Sequence, residues 1–246
     1  MAISTPVVNE GFKYINGMRL AYATATTMTV AAGQCRNSTD VNDINIDAAV
    51  TINTAVNGAA GLDQGSMANN TFYAVYAIGD SFGNNAGSAL ISADLSSPLL
   101  PGGYNMYFRI GYVKSNGSAQ ILPFRQEGVG MDRWMWYDAA IATDITAGAS
   151  ATFAAVDMSD GVPDLTISGE VNILAVFTPT AAADTLELRP GDSSASAGYA
   201  RASGDVAAVA VTTNMVLPYD ATTGIDYKVT GSAVALNVAA YLDQLA

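Results

Sequence analysis

The sequence predicts an all-β protein built as two β-sandwich, jelly-roll-like domains. Strand-like runs recur at short spacing through the 246 residues, most are bounded by Gly, Pro, Asn, Asp or Ser, and helical candidates are few. The length suits one large β-domain or two of ordinary size, and either can bury a core.

Taken in order, Met1–Lys13 carries Pro6 and few strand signals and reads as an N-terminal arm. Strands are expected at Met18–Thr24, Thr27–Ala31 and Asn45–Asn53. The run Thr71–Ile78 places Phe72, Ala74, Tyr76 and Ile78 on one face and Tyr73 and Val75 on the other. Both faces are apolar, so this strand is expected to be central or covered on both sides. Ala89–Leu95 follows, then Tyr104–Val113, with Tyr104, Met106, Phe108, Ile110 and Tyr112 on one face, and then Ala119–Phe124. Turns fall at Gly79-Asp80-Ser81, Gly83-Asn84-Asn85, Pro101-Gly102-Gly103 and Ser115-Asn116-Gly117-Ser118. Asn116-Gly117 supplies the positive φ values that a tight hairpin turn needs.

A boundary is expected within Gln126–Asp138, where the charge balance changes and Gly128 and Gly130 loosen the chain. The expected division is an N-terminal β-domain with its arm over 1–126, a Trp-rich seam over 127–138, and an acidic, Ala/Thr-rich sandwich over 139–246. Strands of the second series are expected at Thr152–Met158, Asp164–Ser168, Val171–Thr178, Thr185–Leu188, Val206–Leu217, Ile225–Val229 and Ala233–Leu242. The last is rich enough in Ala and Leu for a helix, but Val234, Leu236, Val238 and Ala240 alternate as a strand does.

Composition narrows the function classes. Only 13% of residues are charged, against roughly 25% in an average globular domain, which suits a rigid or assembled protein better than a solvated enzyme. The net charge of -12 is uneven: residues 1–126 hold 6 basic and 7 acidic residues, and 127–246 hold 4 and 15. The acidic half repels nucleic acid, so no nucleic-acid partner is expected. The N-terminus lacks the basic start and apolar core of a secretory signal, and no apolar window is long enough for a membrane span. Synthesis in the cytoplasm without export, and no membrane partner, are the expectations.

Histidine is absent, which removes the usual general base near neutral pH and the commonest metal ligand. A Ser-His-Asp triad and a Cys-His pair are excluded. Cys35 is the single cysteine and is expected as a small strand or turn residue. Ser81 sits in a three-residue match to a hydrolase turn, but with no histidine to activate it the expected role is turn formation. Paired carboxylates can hydrolyse glycosides without histidine, yet most Asp residues here lie beside Gly, Ser or Asn in turns. Asp40–Asp47 gathers oxygen ligands but lacks the spacing of a calcium loop, so a turn leading into a strand is expected. No catalytic residue, metal site or cofactor is expected. The candidate functional residues are Trp134, Trp136 and Tyr137, as a buried interface or a glycan-binding platform. On a strand the two tryptophans face the same way and would make a flat surface.

The central block resembles a recurrent group of tailed-bacteriophage virion proteins and tail-fibre modules. The resemblance is carried by Ala31–Asp40, Gly61–Tyr76, Leu90–Asp94, Pro101–Tyr104, Arg109–Val113 and Ile121–Gln126. It covers roughly residues 18–137 and is a pattern of strands and turns. It implies a non-enzymatic virion structural protein, a homotrimer on the particle exterior. The short chain without a coiled-coil shaft favours a head decoration or capsid-fibre protein that contacts the major capsid protein and stabilises the shell. The alternative is a tail-fibre or baseplate module that contacts tail proteins and binds host surface glycan.

Overall fold

A computed structural model describes residues 13–163, 169–219, 224–231 and 233–245. All regular structure among them is β, as eighteen strands. The strands are β1 (Ile15–Gly17), β2 (Leu20–Thr24), β3 (Thr27–Val30), β4 (Gly33–Arg36), β5 (Asp43–Ile46), β6 (Val50–Asn53), β7 (Phe72–Gly79), β8 (Ser88–Ser92) and β9 (Met106–Lys114). They continue with β10 (Phe124–Val129), β11 (Asp132–Ala142), β12 (Ala154–Val156), β13 (Gly169–Phe177), β14 (Thr185–Pro190), β15 (Ala200–Ser203), β16 (Val211–Tyr219), β17 (Ile225–Val229) and β18 (Val234–Gln244).

The chain divides into two compact units. The first runs to Leu122 and includes Gln126–Arg133 and Leu245; the second takes Pro123–Arg125 and Trp134–Gln244. The arm expected before Lys13 and the strand expected at Asp164–Ser168 lie outside the described residues.

In the first unit the strand neighbours are β1-β4-β5, β8-β7-β9 and β10-β2-β3-β6. The expected central strand is β7, which lies between β8 and β9 with Tyr73 through Gly79 all buried. The single run expected over Asn45–Asn53 is two strands, because Asp47-Ala48-Ala49 breaks the ladder between β5 and β6. The strand expected at Ala119–Phe124 begins only at Phe124, since residues 116–120 form the turn that Asn116 holds by accepting the Ser118 and Gln120 N–H groups.

A buried polar network organises this unit. Between Val75 and Tyr76 the register with β9 slips, so that Val75 faces Gly111, Tyr76 faces Arg109, and Ile110 is the extra residue of a β-bulge. Gln126, 2% exposed, donates from Nε2 to the Ile110 carbonyl at 3.2 Å. Its Oε1 accepts the Leu20 N–H at 2.9 Å and Arg133 Nη1 at 3.2 Å. Arg133 is 1% exposed and donates to the carbonyl oxygens of Gly17 at 2.7 Å, Met18 at 2.9 Å and Gly130 at 3.1 Å. Gly17 and Met18 both adopt the left-handed conformation, with φ of 72° and 52°. That turn presents two successive carbonyl oxygens to one guanidinium, whose planar fork can hold both.

In the second unit the neighbours are β16-β13-β18-β11 in one sheet and β12-β17-β14-β15 in the other. Strands one, three, six and eight of this unit form the first sheet, and two, four, five and seven form the second. That order is the eight-stranded, two-Greek-key jelly roll. β14 and β15 pack against β16 across the sandwich. Val171, Ile173, Ala175 and Phe177 of β13 and Val234, Leu236, Val238 and Ala240 of β18 are buried on the first sheet. Leu186, Leu188, Ile225, Tyr227 and Val229 are buried on the second. β18 is a strand along its whole length, and its alternating pattern decides the matter over its Ala/Leu content.

Replacing Arg133 by Ala is expected to open the first unit locally by about 3 kcal/mol, because the buried Met18 carbonyl oxygen and Gln126 Oε1, with the part-buried carbonyl oxygens of Gly17 and Gly130, lose a charged donor. Native-state hydrogen exchange at the Leu20 amide measures this. Arg133→Lys should rescue only part of the loss, since an ammonium cannot reproduce the fork. Unchanged Leu20 exchange in Arg133→Ala would show that the network does not hold the unit together.

Candidate functional site

Trp134, Trp136 and Tyr137 lie on β11, and the strand's alternation separates them. The two indoles share one face, with ring centroids 5.9 Å apart and planes tilted by 34°. They therefore form a bent pair in place of the flat surface expected from sequence. Both are half-buried. The Trp136 indole N–H is shielded from solvent and has no acceptor among the described residues. Leaving such a donor unpaired costs about 1–3 kcal/mol, so the position favours a contact that brings an acceptor. Tyr137 points to the opposite face, with its ring 6.2 Å from that of Tyr241 and its hydroxyl donating to the Gly161 carbonyl at 3.0 Å. Burial pushes its phenol well above the ordinary value, and Tyr137 serves the jelly-roll core, apart from the tryptophan pair.

The remaining reactive side chains are engaged in structure. Cys35 is fully buried on β4, between β1 and β5. Desolvation pushes its thiol up to about 12, so the nucleophilic thiolate is scarce at neutral pH. Arg36 lies 2.9 Å from Asp43 and 3.5 Å from Asp40. A cation of the chain itself thus occupies the acidic run that spacing had already set apart from calcium loops, and Asn37 Oδ1 closes the turn by accepting the N–H groups of Val41 and Asn42. No group of three or more metal-ligating side chains occurs among the described residues.

Two buried carboxylates of the jelly roll lie on the β14–β17 ladder, where Glu187 pairs with Lys228 and Arg189 with Asp226. Lys228 Nζ is 3.1 Å from Glu187, and Arg189 Nη2 is 3.0 Å from Asp226. Phe153 packs under both cations, 3.9 Å from the Arg189 guanidinium carbon and 4.8 Å from Lys228 Nζ. Burial pushes the Glu187 carboxyl up, but the Gly198 N–H and Lys228 outweigh it and the net shift is downward. A general acid in glycoside hydrolysis needs the opposite shift.

Sequence reasoning passed over one polar cluster, because it spans two turns that are separate in the chain. Asp80 accepts the Phe82 N–H at Oδ1, and the Asn84 and Asn85 N–H groups with Asn85 Nδ2 at Oδ2. These bonds, led by the one from Phe82, hold its carboxyl below the ordinary 3.8. Asn85 Nδ2 crosses to the Gly103 carbonyl at 2.9 Å. Asn105 returns the link by accepting Ser81 N–H at 2.9 Å and donating to Ser81 Oγ at 2.8 Å. Ser81 is thereby a turn residue. The clue in the sequence was Asp80 followed by Asn84 and Asn85, a carboxylate set to cap its own loop.

A depressed folded pKa means that the stability from Asp80 is fully present above about pH 4 and is lost as pH falls through the folded value. The Phe82, Asn84 and Asn85 amides should therefore exchange slowly at pH 5 relative to Asp80→Ala, and the difference should vanish upon acidification below the folded value. Equal exchange of the two proteins at pH 5 would remove Asp80 as the loop's anchor. Compared with known proteins, the chain matches no family model, no curated protein and no solved structure.

Proposed function

We propose that this chain is a non-enzymatic structural protein of a bacteriophage virion, a homotrimer that decorates the outside of the head and stabilises the shell. The observation that carries the reading is the strand order of the second unit, since the eight-stranded jelly roll recurs in viral capsid and lectin domains. The argument is one of fold-level analogy. It is supported by the state of some reactive groups: Glu187 and Asp226 are tied to cations and the one thiol is shut in.

Self-association is supported by β16, the end strand of its row in the jelly roll. Residues 206–219 hold no charged side chain, and Val206, Val209 and Val216 are exposed. Over Val211–Leu217 this edge carries neither a charge nor a proline to blunt it, and such an edge is a template for pairing with another chain. The second reading, a module that binds host glycan, rests on the adjacent half-buried Trp134 and Trp136.

The purified chain is expected to sediment as a trimer and Val216→Lys as a folded monomer; a wild-type monomer would defeat the homotrimer. Particles lacking the chain should lose capsid contents at lower temperature while adsorbing normally to the host. Particles of unchanged heat stability would argue against decoration. Replacing both tryptophans by Ala separates the two readings: impaired trimerisation or particle attachment supports an interface, whereas intact particles that no longer adsorb support glycan binding.

A further inference from the structure

The Asp80 cluster forms a shallow open concavity of about 270 Å³, lined by Asp80, Phe82, Asn84, Asn85, Tyr104 and Asn105 together with Gly103. We propose that it is a binding site for one neutral hexopyranose unit of a polysaccharide, separate from the tryptophan pair and independent of the virion assignment.

The first argument is the aromatic ring left in solvent. Phe82 is 80% exposed at the tip of its loop, and Tyr104 lines the same concavity, with its hydroxyl donating to the Ala86 carbonyl at 3.2 Å. An aromatic face offers a large apolar contact of low conformational cost. The C–H face of a pyranose is a ligand surface of matching kind, flat, apolar and rimmed by hydroxyls.

The second argument is the fixed backbone beneath that ring. Asp80 ties down Phe82, Asn84 and Asn85, while Asn85 and Asn105 bind the loop to Gly103 and Ser81. A loop already held in place loses little entropy when it takes a ligand.

The third argument is the chemistry that remains available at the rim. The Asn84 side-chain amide and Asn85 Oδ1 take no partner among the described residues. Together they offer a donor and two acceptors, the complement of a vicinal diol. Charge sets the ligand class. No Lys or Arg lines the concavity, and a phosphate, sulfate or uronate would meet the Asp80 carboxylate. Four N–H groups already surround that carboxylate, which weakens its claim on a cation. A neutral polyol is the class that fits.

The test uses the full chain over immobilised glucan, galactan and mannan, with binding read by surface plasmon resonance and competed by the free methyl hexosides. At least one polymer should bind at millimolar sites or tighter. Phe82→Ala and Asn84→Ala should each weaken it about tenfold or more, a change of about 1.4 kcal/mol, without altering the melting temperature. Phe82→Tyr should retain binding because it keeps the ring, and the Trp134→Ala/Trp136→Ala double variant should retain it as well. Two outcomes would overturn the proposal: no polymer retained, or binding that survives Phe82→Ala. Binding lost only in the tryptophan double variant would place glycan recognition at the other site and also count against this one.

Discussion

The first unit depends on a guanidinium held out of water. Burying a charge is costly unless its donors are met, and Arg133 meets its donors with main-chain oxygens from the Gly17-Met18 turn and from Gly130, together with Gln126. Those oxygens are in place only when β1, β2 and the β10–β11 hairpin are in register. The bulge in β9 adds the last member, since Gln126 also takes the Ile110 carbonyl that an uninterrupted ladder would have used. Apolar burial on β7 and on the strands around it drives collapse without direction. The polar network decides which arrangement of strands that collapse adopts.

The jelly roll is specified differently. Its core is almost wholly apolar, and alternation along β13 and β18 sets which side chains face inward. Four of its charges, on Glu187, Lys228, Arg189 and Asp226, sit on paired strands of the second sheet with Phe153 packed beneath the cations. Glu187 and Asp226 are thus parts of a cross-strand lock. In the first unit the same holds for Asp40, Asp43 and Asp80, whose partners are Arg36 or nearby N–H groups. Low overall charge in this chain goes with the use of these charges for shape.

Local pattern made most strands legible. β7, β9 and β18 carry enough alternation or aromatic density to be read directly, and their ends shift by only a few residues. β1, β4 and β15 were missed because they are short and polar or Gly-containing; Gly17 and Gly33 face each other where strands β1 and β4 approach too closely for a side chain. In sequence, β11 reads as part of a seam because the charge balance changes and Gly128 and Gly130 loosen the chain just before it, yet Asp132–Ala142 is one continuous strand. The placement of Trp134 and Trp136 on one face followed from strand alternation, whereas their tilt depends on packing that no local pattern encodes. The Asp80 concavity was illegible for a related reason: Asn85 and Gly103 are eighteen residues apart, and only the fold makes them neighbours.

The order of strands in the jelly roll has a consequence for how the chain is made. β18, the last of the eight to be synthesised, is an inner strand between β13 and β11. Until it emerges from the ribosome, β11 and β13 wait without their shared partner, and the sheet cannot close from its first-made end. Such late, long-range pairing is slow and leaves strand edges open to other chains. The second unit is therefore most vulnerable to mispairing in the interval before its final strand arrives, and a chaperone that shields strand edges would act within that interval.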